Sequence, residues 1–234
     1  MRPVLDAERY DAVVFDLDGV VTDTASVHRA AWRRMLDELL GPGEFSDEDY
    51  FRHVDGRPRY DGLTAFLASR GLRLPPDRIR ELADRKDAYF LEALRRDGVR
   101  AFPGTVALLD RLAEAGIAVA VISSSRHCAE VLAAAGLTDR FGTVVDGVVA
   151  AELGLAGKPD PAVFLLAAHR LGAQPRRTVV VEDALAGVEA GRAGGFGLVI
   201  GVDRGGKAAE LAAHGADVVV PDLGEVQVRR ADKA

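Results

Sequence analysis

The feature that most constrains this chain is a series of short, continuous and largely apolar runs rich in valine and isoleucine, with stretches of helical spacing between them. The apolar runs are residues 12–15, 117–122, 178–181, 198–200 and 218–220. Runs of this length and composition predict strands buried on both faces, which is typical of a parallel sheet. The stretches with helical spacing are residues 106–115, 126–135, 161–171, 184–193 and 207–213. The alternation predicts a doubly wound, Rossmann-like α/β core.

One long segment interrupts this alternation. Between residues 25 and 98 there is no clear strand, and apolar residues such as Ala31, Met35 and Leu39 recur at helical spacing. We therefore predict a helical cap domain at residues 25–98, inserted into an α/β core formed by residues 1–24 and 99–234. Because pockets in open α/β sheets lie at the carboxyl ends of the strands, a cap inserted after the first strand would cover the pocket.

Composition narrows the class of partner. The chain has 234 residues, a net charge of −6 and no basic tract, which argues against a nucleic-acid surface. Its single cysteine, Cys128, allows no disulfide framework, so a reducing compartment is the simpler assumption. No apolar run is long enough to span a bilayer. We expect a cytoplasmic monomer without nucleic-acid or membrane partners.

Polar residues that suit catalysis follow the predicted strands. Asp16 and Asp18 end the first strand, Ser123 ends the second, and the pair Glu182-Asp183 ends the third; Lys158 precedes a helix in Gly-Lys-Pro. The carboxyl ends of parallel strands meet at one edge of a sheet, so these side chains are expected to converge.

Together these residue types suit phosphoryl transfer, which needs positioning and charge stabilisation more than covalent work. Carboxylates of Asp16 and Asp183 could hold Mg²⁺, a hard ion that prefers oxygen ligands. Asp16 could then attack phosphorus and form an aspartyl-phosphate. Asp18 would serve as general acid and base. Ser123 could donate a hydrogen bond to the phosphoryl oxygens, and Lys158 would supply positive charge to them.

Each of these features also has an ordinary explanation. An Asp-x-Asp triplet occurs by chance, serines often cap helices, and the Glu182-Asp183 pair could cap the next helix. Lys158 alone could be a surface lysine. Only their conjunction, in this order and at successive strand ends, favours a phosphoryl-transfer site.

Four segments resemble the sequence motifs of the haloacid dehalogenase superfamily, and the resemblance covers nearly the whole chain. They are residues 15–24, Ser123, residues 157–161 and residues 182–187. The resemblance implies a Rossmann-like core with a cap and Mg²⁺ as cofactor. It implies catalytic roles for Asp16 and Asp18. The implied phosphate ligands are Ser123, Ser124 and Lys158, and the implied metal ligands are Asp16, Asp18, Glu182 and Asp183. Asp18 favours phosphatases and phosphomutases, because true dehalogenases lack that second acid.

A closer resemblance is to the β-phosphoglucomutase family. The residues that carry it, and that it implies bind substrate, are Thr24, His28, Gly56, Arg59, Lys86, Ser125, Arg126 and His127. Arg57 is added to the predicted substrate ligands because it could compensate for a departure from the family pattern, described below. It implies interconversion of β-glucose 1-phosphate and glucose 6-phosphate through an aspartyl-phosphate and a bisphosphate. One alternative is a magnesium-dependent sugar-phosphate phosphatase, in which water accepts the phosphoryl group. Another is a non-catalytic sugar-phosphate sensor, against which the intact acids argue.

The chain departs from the family pattern at two places. Asp55 stands where a lysine is expected, and Arg57, two residues on, could supply the missing positive charge. The expected Lys-Asn pair is replaced by Arg126-His127, which keeps one charge and one hydrogen-bond donor. These changes leave the sugar and its anomer open.

Overall fold

A six-stranded, wholly parallel sheet forms the centre of the molecule, and the computed structural model describes residues 3–231. The outermost residues of the predicted core, 1–2 and 232–234, lie outside that description. The sheet contains strands β2 (Ala12–Asp16), β3 (Ala118–Ile122), β4 (Thr143–Val145), β5 (Thr178–Glu182), β6 (Leu198–Val202) and β7 (Val218–Val220). Their order across the sheet is β4-β3-β2-β5-β6-β7. A second, two-stranded parallel sheet pairs β1 (Val4–Asp6) with β8 (Gln227–Arg229). The Rossmann-like α/β core predicted from the sequence is confirmed.

Helices cover both faces of the sheet, which explains why its strands are continuously apolar. On one face lie α5 (Pro103–Ala115) and α6 (Cys128–Ala134), packed against Val13 and Phe15. The other face, which includes Val14, carries α8 (Ala162–Arg170), α9 (Leu185–Ala193) and α10 (Ala208–His214). Neighbouring residues of a strand point to opposite faces, so both faces need apolar side chains. Every residue of β2 and β5 is buried.

Within residues 3–231, three strands and one α-helix were not predicted. Strands β1, β4 and β8 have three residues each, too few for a periodicity to show. The short helix α7 (Gly147–Glu152) begins where the Asp146 carboxylate accepts the amides of Val148 and Val149, both at 3.0 Å. The start of α7 depends on this capping side chain. The helix is too short to show an apolar stripe in the sequence.

Helix α6 begins at Cys128, so the predicted start at residue 126 was wrong. Two serine hydroxyls explain the difference. Ser123 Oγ accepts the amide of Ser125 at 3.0 Å, and Ser125 Oγ accepts the amide of His127 at 3.2 Å. Side-chain bonds of this kind offer the backbone an alternative to the helix. Arg126 and His127 therefore lie in a loop at the edge of the sheet.

Between β2 and α5 the chain is helical, as predicted. The helices are α1 (Ala25–Leu40), the single turn α2 (Asp47–Asp49), α3 (Arg59–Ser69) and α4 (Pro76–Asp97), and a π-helical turn (Tyr50–Val54) follows α2. They surround their own apolar cluster, which includes Trp32, Met35 and Phe66. None of the helices in residues 3–231 has both the length and the apolar character that a membrane span requires.

Candidate active site

Three adjacent strands bring the predicted acids together. Strand β2 lies between β3 and β5, and each ends at the same edge of the sheet. Asp16 is the last residue of β2, Glu182 is the last of β5, and Ser123 directly follows β3. A cavity of about 410 Å³ opens above this edge and is also lined by the helical segment. The topology alone therefore places these side chains together at the edge of the sheet on which the cavity opens.

Lys158 lies beneath the pocket between two carboxylates. Its Nζ donates to Asp16 Oδ1 and to Glu182 Oε1, and the lysine is only 2 % exposed. Although burial opposes it, the two carboxylates raise the pKa of Lys158 above its ordinary value. Glu182 Oε2 also accepts the backbone amides of Asp183 and Ala184, both at 2.8 Å. Glu182 thus fixes both the lysine and the loop that carries Asp183.

The acids at this edge fit a divalent cation. Asp16, Glu182 and Asp183 each offer a carboxylate oxygen, and these oxygens lie within 4.8 Å of one another. Burial and the nearby carboxylates raise the pKa of Asp16 and of Asp183 well above ordinary values, although Lys158 opposes the shift at Asp16 and Lys207 opposes it at Asp183. Within residues 3–231, nothing donates a hydrogen bond to the Asp183 carboxylate. Buried carboxylates with too few cations or hydrogen-bond donors beside them are stabilised by a bound cation. A hard divalent cation prefers oxygen ligands such as these.

Gly19 makes room for one of these acids. Its φ is +91°, and a Cβ at this position would overlap the Asp183 carboxylate. Both observations require glycine here. The motif that begins at Asp16 therefore shapes the three-acid group as well as supplying one of its carboxylates.

Asp18 has different partners from the other acids, and its carboxylate lies outside the three-acid group. It accepts hydrogen bonds from Thr24 Oγ1 at 2.5 Å and Ser123 Oγ at 3.0 Å, and His28 Nε2 lies 3.3 Å away. Burial would raise the pKa of Asp18, but His28, Thr24 and Ser123 outweigh it and hold that pKa well below its usual value. The structure therefore presents Asp18 as an ionised carboxylate, ready to accept a proton.

A lysine of the helical segment orients His28. Lys86 Nζ lies 2.7 Å from His28 Nδ1, and an ammonium group only donates, so the proton of the imidazole belongs on Nε2, which faces Asp18. Burial and the neighbouring Lys86 lower the pKa of His28. Burial lowers the pKa of Lys86 to about 8. The ring also stacks on Phe90, with 3.9 Å between ring centroids.

Elsewhere in the same cavity, an acid that was not predicted holds two of the predicted substrate ligands. Asp87 Oδ1 accepts from Arg59 Nη1 at 2.5 Å, and Asp87 Oδ2 lies 3.0 Å from His127 Nε2. The hydrogen bond with Asp87 raises the pKa of His127. Arg59 Nε remains buried without a hydrogen-bond partner among the described residues. Asp87 follows Lys86 on the same helix, and an acid beside a basic substrate ligand is the signal that could have revealed it.

Most of the residues predicted from the sequence line the cavity. Those that do are Asp16, Asp18, His28, Gly56, Arg57, Arg59, Lys86, Ser123, Ser124, Ser125, Arg126 and Asp183. Thr24 contacts Asp18 and His127 contacts Asp87, and both of these acids line the cavity. Lys158 and Glu182 lie beneath Asp16. In the part of the chain that the structure describes, the side chains of Arg57 and Arg126 form no ion pair or hydrogen bond.

Comparison with known proteins agrees with this arrangement. The model of the haloacid dehalogenase-like hydrolase family matches residues 10–195. The chain is 45% identical to a β-phosphoglucomutase of Mycobacterium bovis, over 94% of this chain and 92% of that protein. It is 32% identical to a fructose-1-phosphate phosphatase of Escherichia coli, over 82% of this chain and 96% of that protein.

Solved structures show the same relationship. The crystal structure of a β-phosphoglucomutase from Clostridium difficile superposes with a TM-score of 0.77 at 27% identity, and the match covers 92% of each chain. The similarity thus extends over nearly the whole chain. This chain is an enzyme, and it belongs to the haloacid dehalogenase-like hydrolase family.

Proposed function

We propose that this enzyme is a phosphomutase that interconverts β-glucose 1-phosphate and glucose 6-phosphate. The observation that carries the proposal is a second group of cations in the cavity that contains Asp16. Arg59 has a buried, unpartnered Nε there, and Arg57 and Arg126 are unpaired. A mutase must bind two phosphates at once, whereas a simple phosphatase needs one phosphate site. The 45% identity to a β-phosphoglucomutase supports the same reaction.

The proposed chemistry assigns one role to each side chain at the strand ends. Asp16 attacks phosphorus, the bond from phosphorus to the sugar oxygen breaks, and Asp16 becomes the aspartyl-phosphate. When the phosphoryl group returns to a sugar, the ionised Asp18 takes the proton from the attacking sugar hydroxyl, and it then gives that proton to the leaving oxygen in the next transfer to Asp16. Lys158 and Ser123 stabilise the phosphoryl oxygens. A second transfer from a bisphosphate completes the exchange.

Mg²⁺ is the proposed cofactor, held by Asp16 and Asp183 with Glu182 beside them. When bound, it offsets the repulsion between the carboxylate nucleophile and the phosphate. Asp18, proposed from the sequence as a further ligand, would take part through some group other than its carboxylate, which is engaged by Thr24, His28 and Ser123.

The helical segment, residues 25–98, is proposed as a cap domain that excludes water from the waiting aspartyl-phosphate. In support, Ser124 Oγ of the core donates to the carbonyl of Gly56 at 2.8 Å, so the two parts meet directly above the site. Water exclusion by closure is what would let a sugar hydroxyl compete with water. The proposed enzyme works as a cytoplasmic monomer on a small phosphorylated sugar.

A product assay tests the mutase directly. The purified enzyme with Mg²⁺ and a trace of glucose 1,6-bisphosphate receives β-glucose 1-phosphate, and phosphorus NMR follows the products. We expect glucose 6-phosphate to accumulate without matching release of inorganic phosphate. Release of phosphate alone would overturn the mutase and leave a sugar-phosphate phosphatase. Asp87 favours that second candidate, because its carboxylate neutralises part of the charge on Arg59 and His127.

Arg59→Ala is expected to lower mutase kcat/KM by about 10²-fold, because a charged hydrogen bond to the second phosphate is lost. Hydrolysis of p-nitrophenyl phosphate, which has no second phosphate, should change by less than about threefold. Steady-state kinetics on both substrates measure the difference. Arg80→Met, which removes an exposed arginine paired with Asp77, is the matched control. Equal losses on the two substrates would argue against a second phosphate site at Arg59.

The buried Lys86 predicts a basic limb in the pH profile. Its pKa of about 8 lies below the ordinary 10.5, so between these values the unfolded chain holds a proton that the folded protein has released. Folding stability from this group therefore rises with pH over that window, while the positive charge in the pocket is lost. We expect kcat/KM to fall up to about tenfold per unit above pH 8. In Lys86→Arg, whose guanidinium stays charged, the fall should disappear; an unchanged limb would assign it to another group.

Metal binding should be visible in thermal unfolding. At about 100 times its dissociation constant, Mg²⁺ is expected to stabilise the wild type by ~2.7 kcal/mol. Asp183→Asn should lose most of this gain, yet unfold at a higher temperature than the wild type in EDTA, because one of three crowded carboxylates is gone. Calorimetry with Mg²⁺ and with EDTA measures both. An undiminished response to Mg²⁺ would place the ion elsewhere.

A further inference from the structure

Asp55, the acid that stands where the resembled family has a lysine, faces a lysine of the core. Its Oδ2 lies 3.5 Å from Lys207 Nζ, and the two side chains are 10 % and 11 % exposed. Asp55 directly follows the π-helical turn, and its amide donates to the carbonyl of Tyr50 at 2.9 Å. Burial and the nearby Asp55 carboxylate raise the pKa of the Tyr50 phenol. Asp55 is thus buried and held by contacts within the helical segment and with Lys207.

Lys207 is held just as firmly from the side of the core. It ends the turn that follows β6, in which the Asp203 carboxylate accepts the amides of Gly205 at 3.1 Å and Lys207 at 2.8 Å. Its Nζ also lies 3.7 Å from the centre of the Phe51 ring. The ammonium group therefore meets a carboxylate and an aromatic face of the same helical segment.

The loop that carries Asp55, defined as residues 54–59 from the end of the π-helical turn to the start of α3, touches the core at further points. The Gly56 carbonyl accepts from Ser124, and a Cβ on Gly56 would lie 2.9 Å from that of Ala184. A Cβ on Gly157 would overlap the Pro58 ring. These contacts between the loop and the core involve no charged groups. The ion pair of Asp55 with Lys207 adds a charged contact to them. Arg57 lies between these points, lines the cavity and has no partner among residues 3–231.

We propose that Asp55 and Lys207 are positioning residues, whose ion pair seats the loop 54–59 on the core and so places Arg57 to bind the substrate's second phosphate. The identity of that ligand rests on the proposed mutase function. Compared with the resembled family, the positive charge is shifted from position 55 to position 57. Asp55 pairs with Lys207 of the core, and Arg57 supplies the charge for the phosphate. When one partner of a buried ion pair is removed, the charge of the other is left uncompensated. The loop should therefore no longer pack against the core when Asp55 or Lys207 is replaced.

Charge reversal separates positioning from a general loss of structure. The variants are Asp55→Asn, Lys207→Met and the reversed pair Asp55→Lys with Lys207→Asp. Each single variant is expected to lose about tenfold in mutase kcat/KM, mainly through KM, with faster amide exchange in residues 54–59. The reversed pair should recover both properties to within about threefold of the wild type, as a double-mutant cycle with strong coupling requires. Arg80→Met serves as the control for removing an ordinary exposed ion pair.

Arg57→Gln distinguishes the ligand from its support. It should reproduce the rise in KM while amide exchange in residues 54–59 stays at the wild-type rate. The proposal is overturned if the single variants match the wild type in exchange and in KM, or if the reversed pair is no better than the worse single variant. If the wild type forms no glucose 6-phosphate, the mutase function fails, and recovery of slow exchange in the reversed pair still supports the positioning role.

Discussion

Asp16→Asn is expected to lower turnover of every phosphorylated substrate by about 10³-fold or more, because the amide oxygen is a poor nucleophile toward phosphorus. The chain should still fold. Asparagine keeps the shape of aspartate at the end of β2, and Lys158 retains Glu182 as a partner. Loss of one of three crowded carboxylates also relieves repulsion in the metal-free protein, so its melting temperature should not fall.

Two measurements check this expectation. Steady-state kinetics with β-glucose 1-phosphate report turnover, and intact-mass spectrometry after brief exposure to acetyl phosphate reports the aspartyl-phosphate. Asp18→Asn is the matched control: it keeps the nucleophile, so it should still take up a phosphoryl group from a donor whose leaving group needs no proton. Phosphorylation of Asp16→Asn, or turnover near the wild-type rate, would show that the nucleophile is another residue.

The sequence was sufficient for the parts of the site that depend on topology. A strand buried on both faces is visible in its composition, and the end of such a strand is a fixed place in a parallel sheet. Asp16, Ser123 and Glu182 could therefore be placed at one edge of the sheet from their positions alone. The start of α6 was misplaced because two serine hydroxyls compete for the backbone amides there.

What the sequence did not reveal are the contacts between the helical segment and the core. Asp55 was recognised as a departure from the family, but its partner Lys207 lies far along the chain, at the start of the predicted helical stretch 207–213, where no pattern marks it as a partner. Asp87 was likewise paired only by the fold, which brings α4 against the loop before α6. Charge partners of this kind depend on tertiary geometry, and periodicity carries no information about them.

Lys158→Met is expected to destabilise the metal-free protein by ~3–5 kcal/mol, because it removes the positive member of a buried ion group and leaves Asp16 and Glu182 facing each other. Urea unfolding followed by circular dichroism measures the loss. Replacement of one of those carboxylates should restore part of it, so Lys158→Met with Glu182→Gln is expected to be more stable than Lys158→Met alone. A double variant less stable than the single one would show that Glu182 stabilises the fold chiefly through the amides of its loop.

The pH dependence of this variant follows from the same charges. Burial and the Glu182 carboxylate already raise the pKa of Asp16 above its ordinary value, and without Lys158 nothing comparable opposes them. A carboxyl group whose pKa is raised by folding costs no stability below its unfolded pKa, and costs progressively more as the pH rises toward its folded pKa. The deficit of Lys158→Met relative to the wild type should therefore shrink as the pH falls from neutral toward about 5. A deficit that stays constant or grows on acidification would mean that the lost packing of the lysine stem, rather than its charge, accounts for the instability.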